Sequence, residues 1–256
     1  MGDVTGTPDP ASKQSIPAGY PVAAPPLSRP VVLDQCWADL TFVHWPVRPD
    51  SVAKLYPPGT RPDVFPDGMT YVALVPFAMA RSRLGASLPL PYLGAFLETN
   101  IRLYSTDDAG RHGLLFRSLE TARLAVVPPT RLGLGIPYSW ARMRMNRTDD
   151  RITYRSVRRW PRRGLRSNLT IRVGDVVEPT PLEVWLTARW GVHTRRAGRT
   201  WWLPIEHDPW LLRAADVVEL DDDLLGASSV RPAGDRVRAL FSPGMRTRFG
   251  RPIVVR

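Results

Sequence analysis

The 256 residues predict a mainly antiparallel β protein of the α+β class, its sheet closed or nearly closed on itself, with two or three short helices at one end. Three observations lead there. About ten runs of strand character are joined by short turns, and short turns mean antiparallel pairing. Only one stretch carries a full set of helix-start signals. The 27 prolines and nine tryptophans favour a rigid, loop-rich, extended chain over a helix bundle. So many strands must roll up or stack to protect their edges.

Residues 1–30 read as a tail. They hold seven prolines and three glycines at zero formal charge. Such a stretch buries too little surface to offset its ordering entropy, so it is expected to be disordered or draped over the domain. A single domain is expected over 31–256. Cys36 to Val47 reads as a partly buried strand, or a short helix entering one. Asp50 is placed as N-cap of a short helix, Ser51 to Tyr56, that stops before Pro57-Pro58-Gly59. Asp63 to Phe65 and Met69 to Ala80 are two strands around the turn Pro66-Asp67-Gly68.

Strands follow at Phe96 to Ser105, Gly113 to Val126, Trp140 to Arg147, Arg151 to Trp160 and Asn168 to Val177. The clear helix begins at Thr180-Pro181-Leu182-Glu183, where Thr at N-cap, Pro at N1 and Glu at N3 form a capping box. It is expected to run to Trp190 and stop at Gly191. Val192 to Arg196 and Arg199 to Glu206 form a hairpin. A last hairpin, Arg236 to Ser242 and Met245 to Val255, is expected to turn at Pro243-Gly244.

Composition narrows the function classes. One cysteine, Cys36, allows no intrachain disulfide and no cysteine-rich zinc module. The longest uncharged apolar run, Tyr71 to Ala80, is far short of the ~20 residues that span a bilayer. The start, Met-Gly-Asp, lacks a basic region and an apolar core, so no signal peptide is expected and the setting reads as cytoplasmic. The net charge of +11 comes from 33 arginines and only two lysines, Lys13 and Lys54, a skew that codon bias explains as well as a polyanion partner does.

One strand carries a chemical pattern. In Leu97-Glu98-Thr99-Asn100-Ile101-Arg102-Leu103-Tyr104, period-two alternation puts Glu98, Asn100, Arg102 and Tyr104 on one face. That row is either a solvated outer face or the lining of a cavity. Inside a barrel, Glu98 and Arg102 would orient a ligand or exchange protons with it, because desolvation strengthens such contacts. A second feature is Gly133-Leu134-Gly135-Ile136-Pro137-Tyr138-Ser139, which is a tight loop or a close approach of backbone to a ligand. It is not a phosphate loop.

Arg142 to Arg166 holds ten arginines against two aspartates. That is a solvated basic face or, less favoured, a nucleic-acid groove with Tyr154 and Trp160 for stacking. His44, His112, His193 and His207 show no metal-ligand spacing, so no metal and no cofactor are expected. A GxSxG elbow is absent.

Taken together, these residues resemble the bacterial YqjF-like family, domain of unknown function 2071. The resemblance rests on LTFVHWP (Leu40 to Pro46), LYPPG (Leu55 to Gly59), YVALVPF (Tyr71 to Phe77), FLETNIRLY (Phe96 to Tyr104) and FRSLETARLA (Phe116 to Ala125). It continues through GIPYSWARM (Gly135 to Met143), LTARW (Leu186 to Trp190), HDPWL (His207 to Leu211) and FSP (Phe241 to Pro243). That family is similar in fold to the acetoacetate decarboxylase-like superfamily. The resemblance therefore implies a cone-like antiparallel barrel or double sheet around a central cavity. It puts Glu98 at the cavity acid of the decarboxylases, and Gly135-Ile136-Pro137-Tyr138-Ser139 where they carry Gly-x-Pro-Lys-Lys.

Tyr138 and Ser139 replace both lysines there, so Schiff-base decarboxylation is disfavoured. The expected function is a pocket for a small anionic organic molecule, with lyase-type or proton-transfer chemistry, or binding alone. Glu98 and Arg102 are the candidate catalytic residues. Asn100, Tyr104, Tyr138, Ser139, Arg142 and His44 are candidate ligand contacts. A homo-oligomer is compatible with the sequence, and neither a membrane nor a nucleic-acid partner is expected.

Overall fold

The computed structural model describes residues 15–27, 30–85 and 88–255. Strands dominate it. β1 (Leu33–Val47), β2 (Thr60–Pro62), β3 (Thr70–Leu84), β4 (Leu88–Pro89), β5 (Phe96–Asp107) and β6 (His112–Thr121) form the first half, with the short helix α1 (Pro49–Val52) after β1. Helix α2 (Val127–Leu134) leads into β7 (Tyr138–Thr148), β8 (Arg151–Trp160) and β9 (Arg166–Val176). Helix α3 (Pro181–Thr187) precedes β10 (Gly191–Arg196), β11 (Arg199–His207) and β12 (Arg213–Asp222). Helix α4 (Leu224–Ala227), β13 (Ala239–Phe249) and β14 (Ile253–Val254) end the chain.

The strands form a branched ring. β13, β1, β3, β5 and β6 are neighbours in that order. Beyond β6 the sheet divides. One branch, β10–β11, and a longer one, β7–β8–β9–β12, both return to β13. Pairing is antiparallel except where β6 meets β7 and β10. Among the described residues, no helix is long and apolar enough to cross a membrane.

The interior is filled by Leu40, Phe42, Tyr104, Leu186, Leu240 and the fully buried Trp185 of α3. The capping box is present: Thr180 Oγ1 accepts from the Glu183 amide at 3.3 Å, and Glu183 Oε2 accepts from the Thr180 amide at 2.8 Å. Thr180→Ala is expected to lower stability by about 1 kcal/mol in a urea titration. A change below a few tenths would show that tertiary packing alone holds this end of α3.

Several local expectations need correction. α1 is one turn with Arg48, not Asp50, at its N-cap, and a 3-10 turn over Ala53–Leu55 extends it. The strand expected at Asp63 to Phe65 lies instead at Thr60–Pro62. The long run Gly113 to Val126 is a strand only to Thr121, and then becomes a 3-10 turn and α2. α3 ends at Thr187, so Arg189 and Trp190 lie beyond it in an irregular segment.

β12 is a strand that no pattern in the sequence announces, and Pro243-Gly244 is no turn. β13 runs straight through it, paired to β1. Gly244 has φ +126° there, and a Cβ on it would sit 2.0 Å from the Trp37 carbonyl oxygen. Only glycine lets the two strands come that close.

Of the Pro-rich tail, residues 1–14, 28 and 29 lie outside the described residues. Tyr20 packs on the domain, its hydroxyl donating to the carbonyls of Ala188 (2.7 Å) and Trp185 (3.2 Å). The Trp190 indole donates to the Pro21 carbonyl at 2.6 Å.

Candidate functional site

A cavity of about 530 Å³ opens inside the ring. β5 supplies its polar wall. Because successive residues alternate sides, Glu98, Asn100 and Arg102 all point to the same face and line the cavity. The opposite face of β5 is not solvated: Ile101 and Leu103 pack in a second apolar cluster with Val72 and Leu74. The strand is covered on both sides, so polar alternation here marks an internal wall.

Tyr138 lies two strands along from that wall, with Leu119 of β6 paired to both it and Asn100. Gly135 ends α2 in the left-handed conformation, φ +70°, at a place where a Cβ would meet the Arg195 carbonyl oxygen at 2.2 Å. The tight exit turns the chain so that Tyr138 lines the cavity, and its hydroxyl donates to Glu98 Oε2 at 2.8 Å. Burial pushes the Glu98 carboxyl up to about 7, against the smaller opposing effects of the Tyr138 and Asn100 hydrogen bonds. Glu98 therefore takes up or releases a proton near neutrality.

Arg102 is buried, and no carboxylate pairs with it among the described residues. Its Nε is without a hydrogen-bond partner, and its guanidinium lies 5.5 Å from the centre of the Phe42 ring. Burial draws its pKa down, with Tyr104 opposing and Arg189 reinforcing the shift. Asn100 Oδ1 is likewise buried without a partner.

Four other expected contacts lie off the cavity lining. Tyr104 is fully buried below it, stacked on Trp185 at 5.4 Å between ring centres. His44 is fully buried beside Phe42 and Tyr104, with neither ring nitrogen bonded, and burial holds its pKa well below the usual imidazole value. Ser139 follows Tyr138 by one residue and so takes the other face of β7. Arg142 is exposed on the outside of the β7–β8 hairpin.

Two groups outside the expected site residues complete the wall. Arg189 is held between aromatic faces, 4.0 Å from the Trp185 ring centre and 4.5 Å from that of Tyr104, and is ion-paired with Asp63. Its Nη2 is buried and unpartnered. Asp63 also takes a bond from His112 Nδ1 at 2.8 Å. Burial raises the Asp63 pKa, but Arg189 and His112 outweigh it and hold the carboxyl below its usual range. His207 lines the cavity with Nδ1 donating to the Asp208 carbonyl at 2.7 Å, and burial lowers its pKa. The irregular segment after α3 places Arg189, and no period in the sequence announces it.

A Ser–His–Asp line also exists elsewhere. Ser105 Oγ is 2.8 Å from His193 Nδ1, and His193 Nε2 is 3.0 Å from Asp107. All three are enclosed, Ser105 completely so. A substrate carbonyl cannot reach that hydroxyl, and the line serves to tie β10 to β5. No group of metal-ligating side chains occurs among the described residues.

A branched ring of strands around a central cavity is the acetoacetate decarboxylase-like fold. The chain belongs to the DUF2071 family, described as an uncharacterized conserved protein, which matches residues 34–246. It is 29% identical over 187 residues to the uncharacterized protein YqjF of Bacillus subtilis (strain 168), covering 72% of this chain and 76% of that one. Among solved structures it is similar to an acetoacetate decarboxylase-like enzyme from Sphingomonas wittichii RW1. That match has a TM-score of 0.60 at 13% identity and covers 88% of this chain and 94% of the other. It is also similar to the enduracididine biosynthesis enzyme MppR complexed with pyruvate, with a TM-score of 0.58 at 15% identity, covering 90% of this chain and 92% of MppR.

Proposed function

We propose that the cavity binds a small anionic organic molecule whose carboxylate pairs with Arg102, and that Glu98 exchanges a proton with it. The observation that carries this reading is the Arg102 guanidinium, buried against the cavity with no acidic partner among the described residues. An uncompensated buried cation is costly, and a bound carboxylate offsets that cost with charge-assisted hydrogen bonds. A structural neighbour of the same fold, MppR, is complexed with pyruvate, a small keto acid.

The chemistry proposed is non-covalent. Lys54 is exposed, and no lysine lines the cavity among the described residues. Glu98 is the acid or base toward a carbon next to a carbonyl: its carboxylate takes the carbon-bound proton and returns it, or delivers it elsewhere on the molecule. Tyr138 orients Glu98 through their hydrogen bond, and Asn100 offers an unpaired acceptor.

The test is deuterium exchange into a panel of keto acids differing in the position of the ketone, followed by NMR in deuterium oxide. Exchange is expected with the native protein and is expected to fall by about a hundredfold or more in Glu98→Gln. Unchanged exchange in that variant would remove Glu98 from the mechanism. Saturable binding without exchange would leave a binding protein rather than an enzyme.

A further inference from the structure

The cavity also constrains the shape of its ligand, given the reading that Arg102 receives an anion. β5 serves as a ruler along it. At about 3.3 Å per residue, the backbones of Glu98 and Arg102 stand ~13 Å apart, and those of Phe96 and Arg102 ~20 Å apart. Phe96 is half-buried, while Glu98, Asn100 and Arg102 are buried. The wall therefore goes from half-buried at Phe96 to enclosed at Glu98, and stays enclosed to Arg102.

Its two ends differ in chemistry. Leu84 and Pro129 at the rim are exposed, and Leu90, Leu93 and Val126 are half-buried. Val75, Phe77, Leu114, Leu119 and Leu203 make the buried wall apolar. The cationic groups sit at the far end. Arg102 has no carboxylate partner among the described residues, whereas Arg189 is paired with Asp63, donates to the Trp185 carbonyl and is fixed between Trp185 and Tyr104.

A molecule the size of a short keto acid would satisfy Arg102 and leave most of 530 Å³ of apolar-walled space unfilled. Its lining would then forgo dispersion contacts.

We propose that the ligand class is an elongated amphiphilic carboxylate. Its head lies against Arg102. Its apolar body, linear or aromatic, runs past the hydrogen-bonded Glu98–Tyr138 pair and ends among the rim leucines. Glu98 thereby meets the body several bonds away from the carboxylate, at the position where a remote carbonyl or an activated carbon would lie.

Titration calorimetry with acetate, butanoate, hexanoate and octanoate, each against its 1-alkanol, tests this on the unmodified chain. Fluorescence of Trp37 and Trp210, which line the cavity, gives a second readout. The dissociation constant is expected to fall by about fourfold per added methylene up to octanoate. Octanol is expected to bind about tenfold or more weakly than octanoate. Arg102→Met should erase the octanoate–octanol difference while keeping the chain-length slope, and its circular dichroism melt shows whether it is folded. Affinity independent of chain length would overturn the elongated ligand and leave an anion site intact. Octanol binding as tightly as octanoate would overturn the proposal and the Arg102 reading with it.

Discussion

Asp63→Asn is expected to lower stability by about 4 kcal/mol at pH 7, because it removes the carboxylate from a buried ion pair and leaves the cation behind. Arg189 is enclosed and its ring neighbours hold it in place, so it cannot swing to water. For a chain of this size the loss corresponds to roughly 10 °C in melting temperature. The amide side chain would keep the volume and one hydrogen bond, so the effect isolates charge. Converting the partner as well, in Asp63→Asn with Arg189→Met, is expected to recover most of the loss, since an apolar replacement removes the uncompensated charge. A single-variant loss under about 1 kcal/mol would show that Arg189 finds water or another partner, and that the far wall of the cavity is looser than the geometry indicates.

The second large effect is a pH dependence. Glu98 has a folded-state pKa raised to about 7 from an ordinary 4.5. Between those values the folded chain holds a proton that the unfolded chain has released. Stability therefore falls as pH rises through that window, and is flat above it. Below 4.5 the carboxyl is neutral in both states. Glu98→Gln is neutral throughout and still accepts from Tyr138. Its stability relative to the native protein is thus expected to rise by about 3 kcal/mol between pH 4 and pH 8. Urea titrations at both pH values measure this, and any constant difference between Gln and protonated Glu cancels. A difference that does not change with pH would mean that Glu98 is hydrated in solution and is not the buried acid described above.

The alternation of β5 is legible because period two survives wherever a strand has two distinct faces. Its destination is not legible, since a polar row inside a cavity and a polar row in water have the same pattern. β12 escapes notice for a different reason. Bulges between Arg213 and Ala215 and between Val217 and Glu219 break its alternation, and its exposed acids face neighbours such as Arg172 on β9. Pro243-Gly244 carries the composition of a turn, yet the glycine serves a close approach of two strands. Thr180 to Glu183 is readable because a capping box is local in sequence.

Arg189 cannot be found that way. Its partners, Asp63, Tyr104 and Tyr20, are brought to it only by ring closure. Arg142 resembles a ligand contact by its neighbourhood to Tyr138, but four residues along a strand carry it out of the cavity to the exposed hairpin. Tyr104 and His44 sit at the right depth in the chain pattern and one layer too deep in space.

The most direct measurement is a crystal structure with ω-bromooctanoate, in which the bromine's anomalous signal and the carboxylate locate the two ends independently. The carboxylate is expected within hydrogen-bond distance of Arg102, with the bromine toward the rim, near Glu98, ~13 Å along β5. A carboxylate at the rim with the tail against Arg102, or a ligand confined to the outer surface, would contradict an anion-binding role for the cavity.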